Sequence, residues 1–191
     1  MRFVIPLLIL AIVTGCDGKT EPEELRLEKL WPVPAFKLTN QHGEPFGNEQ
    51  VAGKTWIATL FFSTCPGPCP MMTERLKEIQ AAVNDPNVLL VSISVDPDTD
   101  TVQVLKQYAD NRDADPKRWF FLTGPWDDAH KLAQGLKLDF DKRDPKTNEI
   151  SHSTQFLLID KYGYVRGIYR HDEEESIKQL KLDAPILAAE G

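Results

Sequence analysis

Cysteines, cations and long apolar runs are all scarce in this sequence, and each scarcity narrows what the chain can be. Three cysteines in 191 residues are too few for the disulfide-stapled scaffolds that replace a core in small secreted domains. Lys and Arg number 22 against 29 Asp and Glu, a net charge of −7. That argues against a nucleic-acid partner, because neutralising phosphates needs clustered cations; a partner with a basic docking patch fits better. The longest apolar run, Phe3–Val13, falls short of the ~20 residues an ordinary transmembrane helix needs. There is no internal repeat and no low-complexity tract. Hydrophobic residues make up 41% and charged residues 27%. This is the composition of an ordinary globular protein, with about 175 residues left for one core once a leader is set aside.

The apolar run follows Arg2 and has the length of a signal-peptide hydrophobic region. Val13-Thr14-Gly15-Cys16 resembles a bacterial lipobox, in which the signal is cut before the cysteine and the thiol takes a diacylglyceryl group. The resemblance implies a signal peptide over 1–15 and a lipidated Cys16, with acyl chains contributing ~0.8 kcal/mol per buried methylene. It implies a lipoprotein at the outer, periplasmic face of the cytoplasmic membrane. An uncleaved anchor or a plain secretory signal is the competing reading. A charged tether over 16–30 and a folded domain over 31–185 complete the expected organisation. With Cys16 consumed, Cys65 and Cys69 remain as a pair in an oxidising compartment. A loop this short removes little chain entropy when closed, so stapling explains the pair poorly and chemistry explains it better.

Hydrophobic patterning predicts a hairpin over Ala35–Phe46 turning at Asn40–Gly43, and a strand buried on both faces over Lys54–Ser63. A helix follows over Pro70–Val83 with Met72, Leu76, Ile79 and Val83 on one face. A second buried strand spans Val88–Val95. Asp100-Thr101-Val102-Gln103 reads as a capping box opening a helix to about Ala109. Then come a short strand at Trp119–Leu122, a helix over Asp127–Leu136, a polar loop or hairpin over Leu138–Ser151, a hairpin of Gln155–Ile159 with Val165–Arg170, and a last helix over Glu173–Leu182. This order predicts an α/β fold: a thioredoxin-like mixed sheet with flanking helices, an N-terminal hairpin addition and an insert near 138–151.

The cysteines sit in Phe61-Phe62-Ser63-Thr64-Cys65-Pro66-Gly67-Pro68-Cys69-Pro70-Met71-Met72, where a central strand gives way to a helix, the usual crevice of open α/β sheets. Helix N-terminal amides are expected to favour thiolate and lower the cysteine pKa. Two chemistries follow. The sulfurs can cycle between dithiol and disulfide. Alternatively, both thiolates can take a soft metal: two sulfurs with an imidazole suit monovalent copper, and a His–thiolate set also holds divalent copper. A structural zinc site would want a fourth protein ligand, and none is evident. An inert structural disulfide is the bland alternative.

Several stretches, in order along residues 35–182, resemble the Sco/SenC family. They are Gly53-Lys54-Thr55-Trp56; Phe61 to Pro66 with Cys69-Pro70 and Met72-Thr73; Ser94-Val95-Asp96-Pro97 with Asp100-Thr101; and His152-Ser153-Thr154 ahead of Phe156–Asp160 and Gly163. The resemblance implies a thioredoxin-like fold and copper bound by Cys65, Cys69 and His152. It implies a metallochaperone assisting assembly of the dinuclear copper centre of cytochrome c oxidase. The implied partners are the copper-bearing subunit of that oxidase and a copper donor protein. It also leaves room for thiol-disulfide reductase activity at Cys65 and Cys69.

His152 directly precedes a buried strand at the cysteine end of the sheet. His42 lies in a turn and His130 off the apolar stripe of its helix, so both are expected at the surface; His171 beside Asp172 reads as a surface ion pair. Met72 reads as core, and Met71 is off that face and near the site. Asp96, Asp98 and Asp100 read as turn and capping residues, with an acidic docking edge as the alternative. No proline stands ahead of Phe156, where thioredoxin-type oxidoreductases place one, which favours metal binding over reduction. The competing function is a membrane-tethered thiol-disulfide oxidoreductase or thiol peroxidase.

Overall fold

The computed structural model describes residues 27–190. Along them run β1 (Trp31–Pro32), β2 (Lys37–Asn40), β3 (Pro45–Gly47), α1 (Asn48–Val51), β4 (Thr55–Phe61), α2 (Cys69–Ala82), β5 (Val88–Ser94), α3 (Val102–Asp110), β6 (Trp119–Thr123), α4 (Trp126–Gly135), β7 (Gln155–Ile159), β8 (Tyr164–Arg170) and α5 (Glu174–Ala189). The eight strands form one sheet in the order β1-β8-β7-β4-β5-β6-β2-β3. β4 and β5 are buried at every position, as their unbroken apolar runs require, and pair in parallel from Thr55↔Val88 to Phe61↔Ser94. β6 continues the parallel set, whereas β7 joins β4 antiparallel. The α2 and α3 crossovers lie side by side, with Thr73 Oγ1 3.0 Å from the Tyr108 hydroxyl. α5 packs beside α2 through ion pairs Arg75–Glu174 and Lys181–Glu78.

The hairpin addition caps one edge of the sheet, with β2 pairing antiparallel to β6. At the opposite edge, β1 pairs with β8, a strand that patterning misses because it is two residues long and ends in proline. The main chain is already held ahead of β1: Leu30 N–H donates to Val165 and Arg166 donates to the Leu27 carbonyl. The β7–β8 turn is set by Asp160 Oδ1, which accepts from Tyr162 N and Tyr164 N, and by Gly163 at φ +80, which a side chain would strain.

The helices α5 and α3 also differ from expectation. α5 runs beyond Leu182, through Pro185, to Ala189. The buried Ala184 and Leu187 give packing that offsets the hydrogen bond proline removes. α3 is capped by Thr101, whose side chain accepts from Val104 N. Asp100, read from sequence as the first residue of a capping box, is wholly buried and turned inward instead.

Candidate metal centre

The end of β4 delivers the first two donors. Cys65 lies half-buried in the bend after Phe62, its N–H donating to the Phe62 carbonyl at 3.2 Å. Cys69 opens α2 and is buried, with Pro68 as the preceding cap residue and Pro70 in the first turn, where no helical donor is lost. The third donor arrives from far along the chain. The segment after α4 turns back on itself through a bridge between Phe140 and His152, just ahead of β7, which pairs with β4. The two sulfurs and a ring nitrogen of His152 all lie within 4.8 Å of one another, and Cys69 Sγ is 3.4 Å from His152 Nε2.

The imidazole is held in one orientation. Nδ1 lies 2.9 Å from the Ser153 carbonyl; an oxygen that can only accept makes Nδ1 the protonated nitrogen and leaves the Nε2 lone pair facing the sulfurs. The Phe62 ring meets the imidazole edge-on at 5.7 Å. Burial holds His152 below the usual imidazole range, opposed by the Ser153 hydrogen bond and reinforced by His171, so the ring is neutral and competent to ligate. Cys69 goes the other way from the sequence expectation. Burial raises its pKa well above the ordinary thiol range, Cys65 and the charge of Asp100 add to this, and the hydrogen bond from the Phe62 backbone lowers it only in part. Desolvation therefore outweighs the helix N-terminus, and Cys69 is a thiol until something displaces its proton.

Asp100 is the site residue that sequence reasoning underrates. Its carboxylate accepts from Ser63 N at 3.2 Å, from the Ser63 hydroxyl and from Ser94 Oγ at 2.5 Å. It thereby ties the ends of β4 and β5 to the start of α3. Its own pKa is raised by burial, against the pull of the Ser63 and Ser94 hydrogen bonds. Asp96 is also turned inward, pairing with Arg143, and only Asp98 of the three faces solvent. This removes the acidic docking edge.

Segment 141–151 and the cysteine bend enclose a cleft of about 950 Å³ with Cys65 in its wall. Arg143 closes it. Its guanidinium binds Asp96, donates to the Asn148 carbonyl at 2.7 Å and lies 5.7 Å from the Phe62 ring centre. The other candidates do not join the three-donor cluster. His42 is exposed. His130 stacks on Trp126 at 4.4 Å, and both rings meet Phe140 edge-on, so it is half-buried rather than free at the surface. His171 is 9% exposed, not the surface ion-pair residue its acidic neighbours suggested. Met72 is core and Met71 is 48% exposed. Cys16 lies outside the described residues.

A parallel strand–helix crevice bearing two cysteines, faced by a histidine from the approach to an antiparallel strand, defines a thioredoxin-like domain built around a three-donor Cys/His cluster. The chain belongs to the SCO1/SenC family, which matches residues 28–184. Three solved structures share the fold. A SCO1/SenC family lipoprotein from Bacillus anthracis is 33% identical, with TM-score 0.76 over 83% of this chain and 95% of that one. BsSco, described with a disulfide switch and as a member of the Sco family of cytochrome c oxidase assembly proteins, is 26% identical, with TM-score 0.73 over 84% of this chain and 95% of its own. Bradyrhizobium japonicum ScoI, solved with copper bound, is 24% identical, with TM-score 0.68 over 80% and 99%.

Proposed function

We propose that this protein is a copper metallochaperone. It takes one copper ion on the sulfurs of Cys65 and Cys69 and Nε2 of His152, and passes it to the copper-bearing subunit of cytochrome c oxidase. The observation that carries the reading is the convergence of three soft-to-borderline donors within 4.8 Å. Two thiolates and one neutral imidazole satisfy monovalent copper, whereas a structural zinc would call for a fourth ligand. The copper in Bradyrhizobium japonicum ScoI and the oxidase-assembly description of the family of BsSco support it. In this reading Cys16 carries the lipid anchor at the outer face of the cytoplasmic membrane, as the lipobox resemblance implies and as fits the Bacillus anthracis lipoprotein. Copper is supplied by a donor protein, and the cargo is exchanged rather than kept.

The same sulfur pair supports a second reading, a thiol-disulfide oxidoreductase, to which the disulfide switch of BsSco lends weight. His152 separates the two. Anaerobic titration of the reduced protein with Cu(I) should give one ion per chain. Cys65→Ser or Cys69→Ser should abolish tight binding, and His152→Ala, which removes a direct ligand, should weaken it by at least the ~10–100-fold that loss of an outer-shell partner costs. An oxidoreductase would tolerate His152→Ala in disulfide turnover. Tight copper retained by the double serine variant would overturn the chaperone reading.

A further inference from the structure

The end of the molecule opposite the cysteines carries a second surface with its own chemistry. The β7–β8 turn lies beside Ile159, which pairs with Trp56 at the start of β4, and Gly53 N–H donates to the Lys161 carbonyl there. The cysteine bend follows the other end of β4, a strand of 7 residues, or about 23 Å. Exposed large apolar side chains gather at the turn end: Tyr162 at 62%, Leu30 at 45%, Ile186 at 45% and, one helical turn earlier on α5, Leu182 at 59%. Of the two others among the described residues, Ile168 lies midway along β8, opposite Leu157, and Met71 lies beside the site.

Cations frame this patch. Lys29 Nζ is 5.2 Å from the Tyr162 ring centre and 5.0 Å from that of Tyr164, and Lys161 Nζ is 5.3 Å from Tyr162. Lys161 also donates to the Glu190 carbonyl at 2.7 Å, so the end of α5 belongs to the same surface. The nearby carboxylates of Asp160 and Glu190 are both taken by Arg166. Arg166 Nε holds the Leu27 carbonyl at 2.6 Å, so the chain reaches the domain at this patch. From Cys16 to Leu27 it spans roughly 40 Å at full stretch, at ~3.3–3.6 Å per residue.

We propose that this patch (Tyr162, Lys29, Lys161, Leu30 and Ile186) rests on the headgroup layer of the membrane and directs the Cys65/Cys69/His152 centre away from the bilayer. The inference rests on the reading of Cys16 as lipidated. An aromatic ring flanked by lysines beside aliphatic side chains is the composition of a membrane–water interface. The ring and aliphatics lie at the headgroup boundary while the ammonium groups meet lipid phosphates. The short tether makes docking effectively intramolecular, so a contact too weak to recruit a free protein suffices to orient this one. Facing outward by the length of β4, the centre is presented to partners that project from the membrane.

The four tyrosines allow a direct test. The lipidated chain, labelled with fluorotyrosine, is incorporated into nanodiscs of phosphatidylethanolamine and phosphatidylglycerol with and without a gadolinium-chelate headgroup lipid. Fluorine NMR should show the Tyr162 and Tyr164 signals lost to paramagnetic broadening and the Tyr108 signal, beside the site, retained. Lys29→Glu with Lys161→Glu should restore Tyr162 while the chain still co-migrates with the discs. Retention of all four signals in a chain that co-migrates would overturn docking but leave the anchor standing, and so would loss of Tyr108 ahead of Tyr162. A chain that does not co-migrate at all would remove the lipid anchor and, with it, this orientation.

Discussion

At the scale of single residues, the centre is a matter of which atoms hold protons. The Ser153 carbonyl fixes the His152 tautomer, and burial keeps the ring neutral. Cys69, held above its ordinary range by burial and by Cys65 and Asp100, must lose a proton to ligate. Copper affinity should therefore climb as pH rises through neutrality, by about tenfold per pH unit for each proton displaced. The imidazole contributes no further loss until pH falls below the usual histidine range, about 6.5. Competition against a Cu(I) chelator over a pH series measures this, and a flat profile would mean both sulfurs are already thiolates. Asp100→Asn tests the neighbouring clamp. Asparagine keeps one acceptor oxygen but turns an amide toward the Ser63 and Ser94 donors. The variant should lose ~1–3 kcal/mol in denaturant unfolding. Because it also removes a negative charge beside Cys69, alkylation of that thiol should begin at lower pH.

Among the elements, segment 141–151 matters most, because its position decides whether the cleft is open. Arg143 ties it to Asp96 and to Phe62 and braces it internally through the Asn148 carbonyl, and the Asp96 side chain is only 7% exposed. Arg143→Ala should raise the rate of amide exchange through 141–151 by about 10–100-fold, the equivalent of ~1–3 kcal/mol of local opening. Unchanged exchange there would show that the backbone pairing of the segment, from the Phe140–His152 bridge to Asp141–Ser151 and Asp144–Glu149, holds it without Arg143. The elements themselves were largely legible. β4 and β5 announce themselves by unbroken apolar runs, and α2 by Met72, Leu76 and Ile79 at helical spacing. The contacts that finish the site were not. Asp100 read as a cap because capping is local, whereas its actual partners, Ser63 and Ser94, are brought to it by strand register. His171 read as a surface residue because its sequence neighbours are acidic, though tertiary packing buries it. The cysteines and His152 were legible as a set through family resemblance and through the place of His152 ahead of a buried strand at the cysteine end, since donors 83 positions apart carry no spacing signal.

For the whole molecule, a shared ion would join parts of the chain that otherwise meet through packing and the Cys69–His152 hydrogen bond: the bend between β4 and α2, and the strand approach at His152. A ligand that binds only the folded form stabilises it by RT ln(1 + [L]/Kd), about 2.7 kcal/mol at a hundredfold excess over Kd. For a domain of this size each kcal/mol moves the midpoint by ~2–4 °C, so Cu(I) should raise Tm of the reduced protein by roughly 5–11 °C under those conditions. Oxidation of Cys65 and Cys69 to a disulfide uses the same two sulfurs, so the oxidised protein should show no such rise. In His152→Ala the increment should shrink without vanishing, because two of three donors remain. An equal copper-induced rise in reduced and oxidised protein, followed by calorimetry, would place the ion somewhere other than between these sulfurs. That result would separate metal carriage from thiol chemistry, since the two would no longer compete for the same pair of atoms.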